Sequence, residues 1–375
     1  MKKRIKYFCF IWFTLVSPVT LTFGQIVEKN VKHVKVFYEP GMYGGWPANY
    51  GIWSWGDEIL VGFEKAFYEN RGPKSHNMDQ TKPRSAVFAR SMDGGETWTL
   101  EDPGMSGGLN YPDCSLAINF EHPDFALTAR RSKWKSGIFY SYDRGKNWEG
   151  PCPLPDFKTP GLAARTDYII NSDKECLLFL TAAKSNGNEG RALAAKTLDG
   201  GVTWSFLSWI GHEHSGYSIM PSTVRISSHE LLTTIRKKES GRSLIEAYYS
   251  DDNGMTWRQL NNPVDDTGIG NPSAMVKLDD GRICLAYGYR AEEADIKSGL
   301  KTSDIRAKLS SDNGKTWSKD YILRNDGSGR DLGYPRMIQR PDGKIVVVYY
   351  FMDKATGPER YIAATIWEPP AIRNE

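Results

Sequence analysis

Cysteine and histidine are scarce in this chain, with five and six copies among 375 residues. The cysteines lack the paired spacing that binds zinc, so the sequence predicts no metal site and no cofactor. Cys176 and Cys284 lie in apolar, strand-like runs and are expected to be buried thiols. Cys114 and Cys152 are able to pair in an oxidising compartment, and the sequence leaves that pairing open.

Long apolar runs are absent after residue 24, so no later segment is expected to span a membrane. The first residues are basic and are followed by an apolar run from Tyr7 to Phe23, interrupted by Pro18. This order is typical of a secretory signal peptide. We therefore predict that residues 1–24 are removed after Gly24 and that residues 25–375 form one secreted or periplasmic domain, without membrane insertion.

Blocks of a single charge sign are also missing from the predicted mature chain. The formal charge of +3 includes four basic residues of the signal, Lys2, Lys3, Arg4 and Lys6, so their removal leaves 3 − 4 = −1. Without a Lys/Arg block, the sequence predicts no nucleic-acid partner and no attachment to an anionic membrane surface. The oligomeric state is not indicated.

A short pattern, Ser/Thr-x-Asp-x-Gly-x-Thr/Asn-Trp, occurs five times. The copies start at positions 91, 141, 197, 250 and 310, which are 50, 56, 53 and 60 residues apart. That spacing suits one four-stranded propeller blade with its connections. The Asp carboxylate is expected to accept backbone N–H bonds, the Gly to take a positive φ, and the Trp to pack beneath the turn. These aspartates are thus predicted to be structural and distant from the propeller axis.

A second repeat marks the first strand of a blade by a proline before an apolar run. The copies are Trp46-Pro47, Tyr111-Pro112, Met220-Pro221, Asn271-Pro272 and Tyr334-Pro335, and a segment near Arg165 to Tyr168 has the same layout without proline. Five blades ending in an Asp-box and a sixth from Tyr334 to about Trp367 predict an all-β, six-bladed β-propeller. The remaining strand, Val34 to Tyr38, is expected to complete the last blade, because closure removes two sheet edges.

The Asp-boxes and inner strands together resemble the sialidase or neuraminidase superfamily, also called the BNR-repeat family, over the whole mature chain. The resemblance implies an exo-glycosidase that holds a substrate carboxylate with three arginines. It also implies a Tyr nucleophile assisted by a Glu, and an Asp that acts as acid and base. Since the box motif is specific for the fold and not for the reaction, each role has to be transferred residue by residue.

Three residues are candidates for catalysis. Tyr334 stands in a segment that resembles the one carrying the family's nucleophile. An ordinary phenol has a pKa of about 10, so the neighbouring Arg336 or a nearby base would have to favour the phenolate. The loop in which the family places its acid/base contains His76 and Asp79, and a histidine there is able to shuttle a proton near neutral pH.

The candidates for substrate binding come from several blades. Arg236 ends an apolar strand of blade 4 and resembles the second carboxylate-binding arginine, and Arg290 in blade 5 is the candidate for the third. Arg306 is expected to face outward. Further candidates stand at or beside the starts of inner strands or next to Tyr334: Trp46, Asn49, Asp113, Asp167, Asp331 and Arg336.

The sequence departs from true sialidases at two positions. Gly45-Trp46-Pro47 stands where sialidases have Arg-Ile-Pro, so the first arginine is missing and Trp46 would offer a sugar-stacking face instead. The segment expected to hold the assisting glutamate, Ser218 to Ser222, has no carboxylate, although Glu213 lies a few residues earlier. Both departures argue against ordinary sialic acid as the sugar.

Three functions fit these residues, and all have carbohydrate as partner. The leading hypothesis is a secreted glycoside hydrolase that is exo-acting on a glycan or polysaccharide. A polysaccharide lyase acting on uronate-containing glycan is the second. In such an enzyme Tyr and His remove a proton beside a uronate carboxylate that Arg neutralises, and Tyr334, His76 or His214, and Arg236 fit these roles. A non-catalytic carbohydrate-binding propeller is the third, because a lapsed enzyme would lack family residues.

Overall fold

The computed structural model describes residues 26–28, 30–105, 114, 117–132 and 135–371, and their regular secondary structure is almost entirely β-strand. Six sheets form the blades of a β-propeller, which confirms the predicted fold class. Two short strands at the start of the described chain, β1 (Ile26–Val27) and β2 (Val31–Phe37), belong to the last two blades. Within the described residues no helix is long and apolar enough to cross a membrane.

The first three blades follow in chain order. Blade 1 contains β3 (Met42–Gly45), a 3-10 helix (Pro47–Asn49), β4 (Ile52–Trp55), β5 (Glu58–Phe67), β6 (Ser85–Ser91) and β7 (Thr99–Glu101). Blade 2 contains β8 (Ala126–Ser132), β9 (Lys135–Ser141) and β10 (Glu149–Pro153). Blade 3 contains β11 (Leu162–Ala163), β12 (Tyr168–Ile170), β13 (Cys176–Ala183), β14 (Glu189–Thr197) and β15 (Ser205–Ile210). The predicted first strand of blade 2, at Tyr111-Pro112-Asp113, lies outside the described residues.

The other three blades complete the ring. Blade 4 contains β16 (Tyr217–Arg225), β17 (Leu231–Glu239), β18 (Arg242–Ser250) and β19 (Arg258–Gln259). Blade 5 contains β20 (Ser273–Lys277), β21 (Ile283–Tyr289), helix α1 (Glu293–Lys297), β22 (Ser303–Ser310) and β23 (Tyr321–Gly327). Blade 6 contains β24 (Gly333–Gln339), β25 (Ile345–Phe351) and β26 (Tyr361–Trp367).

The N-terminal segment closes the ring, as predicted. Strand β2 pairs antiparallel with β26, with Val31 opposite Trp367, and so supplies the fourth strand of blade 6. Strand β1 pairs in parallel with β23, with Ile26 opposite Tyr321, at the outer edge of blade 5. One segment therefore covers the outer edges of two neighbouring blades, which would otherwise expose unpaired backbone groups.

Each Asp-box forms the turn before the outermost of its blade's own strands, as between β9 and β10 in blade 2. In the first box the Asp93 carboxylate accepts bonds from the Thr97 N–H (2.9 Å) and the Thr97 hydroxyl (2.6 Å). The Trp98 indole donates to the Gly95 carbonyl (2.9 Å), and Gly95 has a φ of +93°. Burial raises the pKa of Asp93, but these hydrogen bonds outweigh burial and lower the pKa to about 2. The prediction that this motif is structural agrees with these contacts.

The core consists of strands that are buried on both faces because each blade packs between two others. Strand β25 is buried at all seven positions, and β13 at all eight. Cys176 and Cys284 are buried free thiols, as expected. Cys114 and Cys152, whose pairing the sequence left open, form a disulfide with Cα atoms 5.4 Å apart.

The innermost strands of four blades are interrupted near the axis. In blade 1 the 3-10 helix separates β3 from β4, and in blade 3 residues 164–167 separate β11 from β12. Register shifts interrupt the pairing of β16 and of β24, beside Met220 and Tyr334. Met220, Tyr334 and Trp46 each precede a proline and have left-handed φ angles of 58°, 51° and 56°. Backbone strain of this kind concentrates at functional sites.

Candidate active site

The interrupted strands of blades 1, 3 and 6 contribute to the wall of a cavity of about 1000 Å³, the central cavity. Its described walls come from blades 1, 2, 3 and 6 and include four of the predicted site residues: Trp46, Asn49, His76 and Tyr334. Side chains from segments far apart in the sequence therefore share one cavity. Such a cavity is large enough for a ligand of several sugar units.

Tyr334 occupies the blade 6 side of this cavity, and Arg236 and Arg290 contact it. The Arg236 Nη1 donates a hydrogen bond of 2.9 Å to the Tyr334 phenol oxygen. The Arg290 guanidinium lies 5.3 Å from the centre of the Tyr334 ring, and that of Arg236 lies 5.8 Å away. Three of the predicted site residues, from blades 4, 5 and 6, thus form one cluster.

The arginines around Tyr334 change the acidity of its phenol. Burial raises the pKa of Tyr334, but three neighbouring guanidinium groups outweigh burial and hold the pKa below its ordinary value. These groups belong, in order of decreasing effect, to Arg236, Arg290 and Arg165. A positive charge close to the oxygen favours the phenolate, the form that acts as nucleophile or base. Arg236 therefore has the role that the sequence suggested for Arg336.

The backbone of Tyr334 is held by a residue to which sequence reasoning gave no role in the site. Asn271 is fully buried, and its side-chain oxygen accepts a bond of 2.8 Å from the Tyr334 N–H. Its amide nitrogen donates to the Leu332 carbonyl (2.8 Å). Gly288 and Gly333 pack closely on Asn271, so that a Cβ at either glycine would collide with the amide. Asn271 thus fixes the left-handed turn that presents the phenol.

Asp331 is buried and binds His76, which lines the cavity. The Nδ1 of His76 is 2.9 Å from the Asp331 Oδ1, and the Tyr350 hydroxyl donates to the same oxygen (2.6 Å). Arg360 and Arg290 approach the carboxylate at 3.3 and 3.7 Å. Burial raises the pKa of Asp331, but His76 and the two arginines outweigh burial and leave that pKa far below its ordinary value. Asp331 is therefore a permanent negative charge that orients His76.

Asp79, the other acid/base candidate, is engaged in a turn. Its Oδ1 accepts bonds from the Thr81 N–H (2.9 Å) and hydroxyl (2.6 Å), and Lys82 lies 3.5 Å from its Oδ2. It is not among the described residues that line the cavity. Of the two candidates in this loop, only His76 is brought together with Tyr334.

Arg336 and Asp167 lie beside the cavity and do not line it in the described residues. The Arg336 Nη2 donates to the carbonyls of Ala48 (2.5 Å) and Thr166, so this arginine ties blade 6 to blades 1 and 3. Asp167 accepts bonds from the Thr223 N–H (3.2 Å) and hydroxyl (2.9 Å). Burial raises the pKa of Asp167 to about 7, against the opposing effect of Arg336 and Thr223.

The side chains of Trp46 and Asn49, which the sequence suggested for substrate binding, are held by neighbouring protein residues. Trp46 is only 7% exposed, and its ring packs against His76, with centroids 4.9 Å apart, and against Tyr43 at 5.3 Å. Little of the predicted sugar-stacking face is therefore open. The Asn49 side-chain oxygen accepts a bond of 3.0 Å from Arg165, a cavity residue that was not among the predicted site residues.

The remaining candidates lie apart from the cavity or beyond the described residues. Asp113 lies outside the described residues. Arg306 is 8% exposed and pairs with Asp304 (2.7 Å) and Asp320 (3.4 Å) beside a different cavity, on the outer part of blade 5. Glu213 is exposed and does not line the central cavity among the described residues.

One carboxylate does line the central cavity: Glu64 of β5. It accepts hydrogen bonds from the Tyr50 hydroxyl (3.1 Å) and from Arg84 (3.0 Å). Sequence reasoning missed Glu64 because it sits inside a regular strand without a motif. Within the described part of the chain, no group of three His, Cys, Asp or Glu side chains is arranged to hold a metal ion.

The six blades, the Asp-boxes and the Tyr–Arg cluster define a propeller of the sialidase-like superfamily. A family model described as a BNR repeat-like domain matches residues 125–347, more than half of the chain, so the chain belongs to this family. A comparison with curated proteins gives no match.

Several solved structures share the fold. A protein of unknown function from Dyadobacter fermentans has a TM-score of 0.70 and 19% identity, over 92% of this chain and 100% of its own. The NanB sialidase of Streptococcus pneumoniae has a TM-score of 0.57 and 12% identity, over 88% and 70%. A GH93 α-L-arabinofuranosidase of Fusarium graminearum, in complex with arabinobiose, has a TM-score of 0.57 and 12% identity, over 90% and 97%. At these identities the likeness shows the fold, and two of the three similar proteins are glycosidases.

Proposed function

We propose that this protein is an exo-acting glycoside hydrolase in which Tyr334 is the nucleophile. The observation that carries the proposal is the hydrogen bond from Arg236 to the phenol of Tyr334, which lines one cavity together with His76. The solved sialidases and the arabinofuranosidase that share the fold support a glycosidic substrate.

In the first step, the Tyr334 oxygen bonds to the anomeric carbon as the bond from that carbon to the leaving oxygen breaks. Arg236 and Arg290 stabilise the phenolate before attack, because both hold positive charge next to it. His76, in its protonated form, gives its proton to the leaving oxygen. Asp331 orients the His76 ring through its contact of 2.9 Å with Nδ1.

In the second step, water replaces Tyr334 at the anomeric carbon. Neutral His76 takes a proton from this water, the new bond to oxygen forms, and the phenolate leaves beside Arg236. Two displacements at one carbon retain its configuration. The stereochemistry of the first product therefore distinguishes this route from direct attack by water.

A polysaccharide lyase is the second candidate, and it is favoured by the kind of group that is hydrogen-bonded to the Tyr334 phenol. Among the described residues, the hydrogen bond to the Tyr334 phenol comes from a guanidinium group, and no carboxylate bonds to it. The phenolate would then remove the proton beside a uronate carboxylate neutralised by arginine. His76 would protonate the leaving oxygen, and a carbon–carbon double bond would form.

A panel of aryl glycosides and polysaccharides, followed by reducing-end release and ultraviolet absorbance, tests the proposal. A hydrolase gives reducing ends without new absorbance, whereas a lyase gives an unsaturated product that absorbs. Tyr334→Phe is expected to lose at least about 1000-fold in turnover. Tyr38→Phe, at an exposed position with a hydroxyl contact to Thr356, is the matched control. Full turnover by Tyr334→Phe would exclude Tyr334 as the nucleophile.

We also propose that the mature protein is exported. The basic start, the apolar run and the small residue Gly24 support a signal peptide, and the Cys114–Cys152 disulfide suits an oxidising compartment. N-terminal sequencing of the protein from its native host tests this: a mature chain that begins at residue 25 is expected. A mature protein that still begins at residue 1 would contradict the proposal.

A further inference from the structure

Arginines dominate the wall of the central cavity on blades 1 to 3. Among its described lining residues are four arginines and one glutamate. The arginines are Arg84, Arg130, Arg131 and Arg165, and the glutamate is Glu64. Glu64 pairs with Arg84 at 3.0 Å, and the other three arginines leave the wall with an excess of positive charge. A concave wall with such an excess concentrates the electrostatic field and attracts anions.

These arginines form a group distinct from the pair that binds Tyr334. Arg236 and Arg290 come from blades 4 and 5, whereas Arg130 and Arg131 are on β8 of blade 2. In the ring, blade 1 stands between blade 6, which carries Tyr334, and blade 2. Arg165 connects the two groups, because it lines the same cavity and is close enough to lower the Tyr334 pKa.

The wall is built on fixed elements. The Arg130 guanidinium lies 5.4 Å from the centre of the Tyr50 ring, and Tyr50 is buried and bonded to Glu64 (3.1 Å). Arg165 is fixed by its bond to Asn49 (3.0 Å). Orienting two guanidinium groups in advance reduces the entropy lost when a ligand binds.

A guanidinium group is able to form two parallel hydrogen bonds with two oxygens of a planar carboxylate or of a tetrahedral sulfate. We propose that this arginine wall binds an anionic substituent, a sulfate ester or a uronate carboxylate, on the sugar next to the one that Tyr334 attacks. This inference rests on the proposed function for the position of the reacting sugar. It makes the substrate an acidic polysaccharide.

Binding measurements test the wall without requiring turnover. The probes are a sulfated polysaccharide with its desulfated form, and a uronate polysaccharide with its carboxyl-reduced form, each titrated calorimetrically at two salt concentrations. Wild-type protein is expected to bind at least one acidic form about tenfold or more tightly than its neutral form, with an affinity that falls as salt rises. Arg130→Gln/Arg131→Gln is expected to remove most of this preference.

Arg258→Gln is the matched control, because Arg258 is an exposed arginine on the outer strand of blade 4, stacked on Tyr249. A preference for the sulfated or for the uronate form identifies the anion, and either result supports the inference. The inference is overturned if wild-type protein binds acidic and neutral forms with equal affinity. It is also overturned if Arg258→Gln loses as much of the preference for the acidic form as Arg130→Gln/Arg131→Gln does. If acidic glycans bind at the wall but none is cleaved, the inference stands and the proposed hydrolase fails.

Discussion

Tyr334 and Arg236 are 98 residues apart in the chain, yet one hydrogen bond joins them. Sequence reasoning selected both, because each resembles a site residue of the family. For activation of the phenol it offered Arg336, the neighbour in sequence, or a nearby base, whereas the Arg336 guanidinium binds the carbonyls of Ala48 and Thr166. The directions of both side chains depend on the register shift in β24 between Gly333 and Arg336, and proximity in sequence does not give those directions.

Arg236→Gln is expected to shift the pH dependence of activity. Arg236 lowers the Tyr334 pKa, so its loss raises that pKa and reduces the phenolate fraction at neutral pH. We expect kcat/KM at neutral pH to fall about tenfold or more, because the phenolate also loses its charge-assisted hydrogen bond from Arg236. The rise of kcat/KM with pH should move to higher pH. An unchanged profile with only a raised KM would make Arg236 a substrate contact alone.

Asp331→Asn is expected to destabilise the protein in a pH-dependent way. The substitution leaves Arg290 and Arg360 without their buried anion, which costs roughly 3 to 5 kcal/mol at neutral pH. Because the folded state lowers the Asp331 pKa, its stabilisation is complete above the ordinary pKa of about 4 and declines as pH falls below it. Urea denaturation between pH 3 and 8 measures this.

The control for that experiment is Asp326→Asn. Asp326 pairs with Arg324 at 2.7 Å, but its side chain is 57% exposed, so the pair contributes little. We expect a change below about 1 kcal/mol. A deficit in Asp331→Asn that stays constant down to pH 3 would show that the buried charge is not its cause.

At the scale of elements, the sequence repeats predicted the blades. The interruptions in the innermost strands became visible only in the structure. The Asp-boxes locate five outer turns, because carboxylate, glycine and tryptophan act within eight residues. The site residues depend instead on contacts between blades: His76 binds Asp331, 255 residues away, and Asn271 holds the Tyr334 backbone. The prolines after Trp46, Met220 and Tyr334 were the available signal, since each marks an interrupted inner strand.

Asp252→Ala tests the Asp-box as a stabilising element. The Asp252 carboxylate accepts bonds from the Thr256 N–H (2.8 Å) and hydroxyl (2.6 Å), and the Ser250 hydroxyl donates to it (2.8 Å). We expect a loss of about 1 to 3 kcal/mol in unfolding free energy, as for other lost turn and capping bonds. Thermal denaturation measures it, and turnover by the folded variant should remain.

Asp251→Ala provides the matched control, since Asp251 is the exposed neighbour in the same turn. Its replacement is expected to change stability by less than about 0.5 kcal/mol. Equal losses of unfolding free energy in both variants would show that the effect comes from removing a negative charge at this turn and not from the Asp252 hydrogen bonds.

At the scale of the whole molecule, stability depends on closing the ring. Strands β1 and β2 cover the outer edges of β23 and β26, and β2 contributes the buried residues Val36 and Phe37 to the core. A chain starting at residue 39 lacks both strands and exposes two sheet edges. We expect it to aggregate or remain unfolded, because the lost burial is comparable with a typical stability of about 5 to 15 kcal/mol.

A chain starting at residue 25 is the control and is expected to fold as a stable propeller, because it retains both strands. A synthetic peptide of residues 25–38 then distinguishes loss of closure from general damage. Added during refolding of the truncated chain, it should restore soluble protein, since an extended peptide is able to add to an open sheet edge. Circular dichroism and gel filtration measure the rescue. A truncated chain with the melting temperature of the control would show that five complete blades and an open sixth suffice.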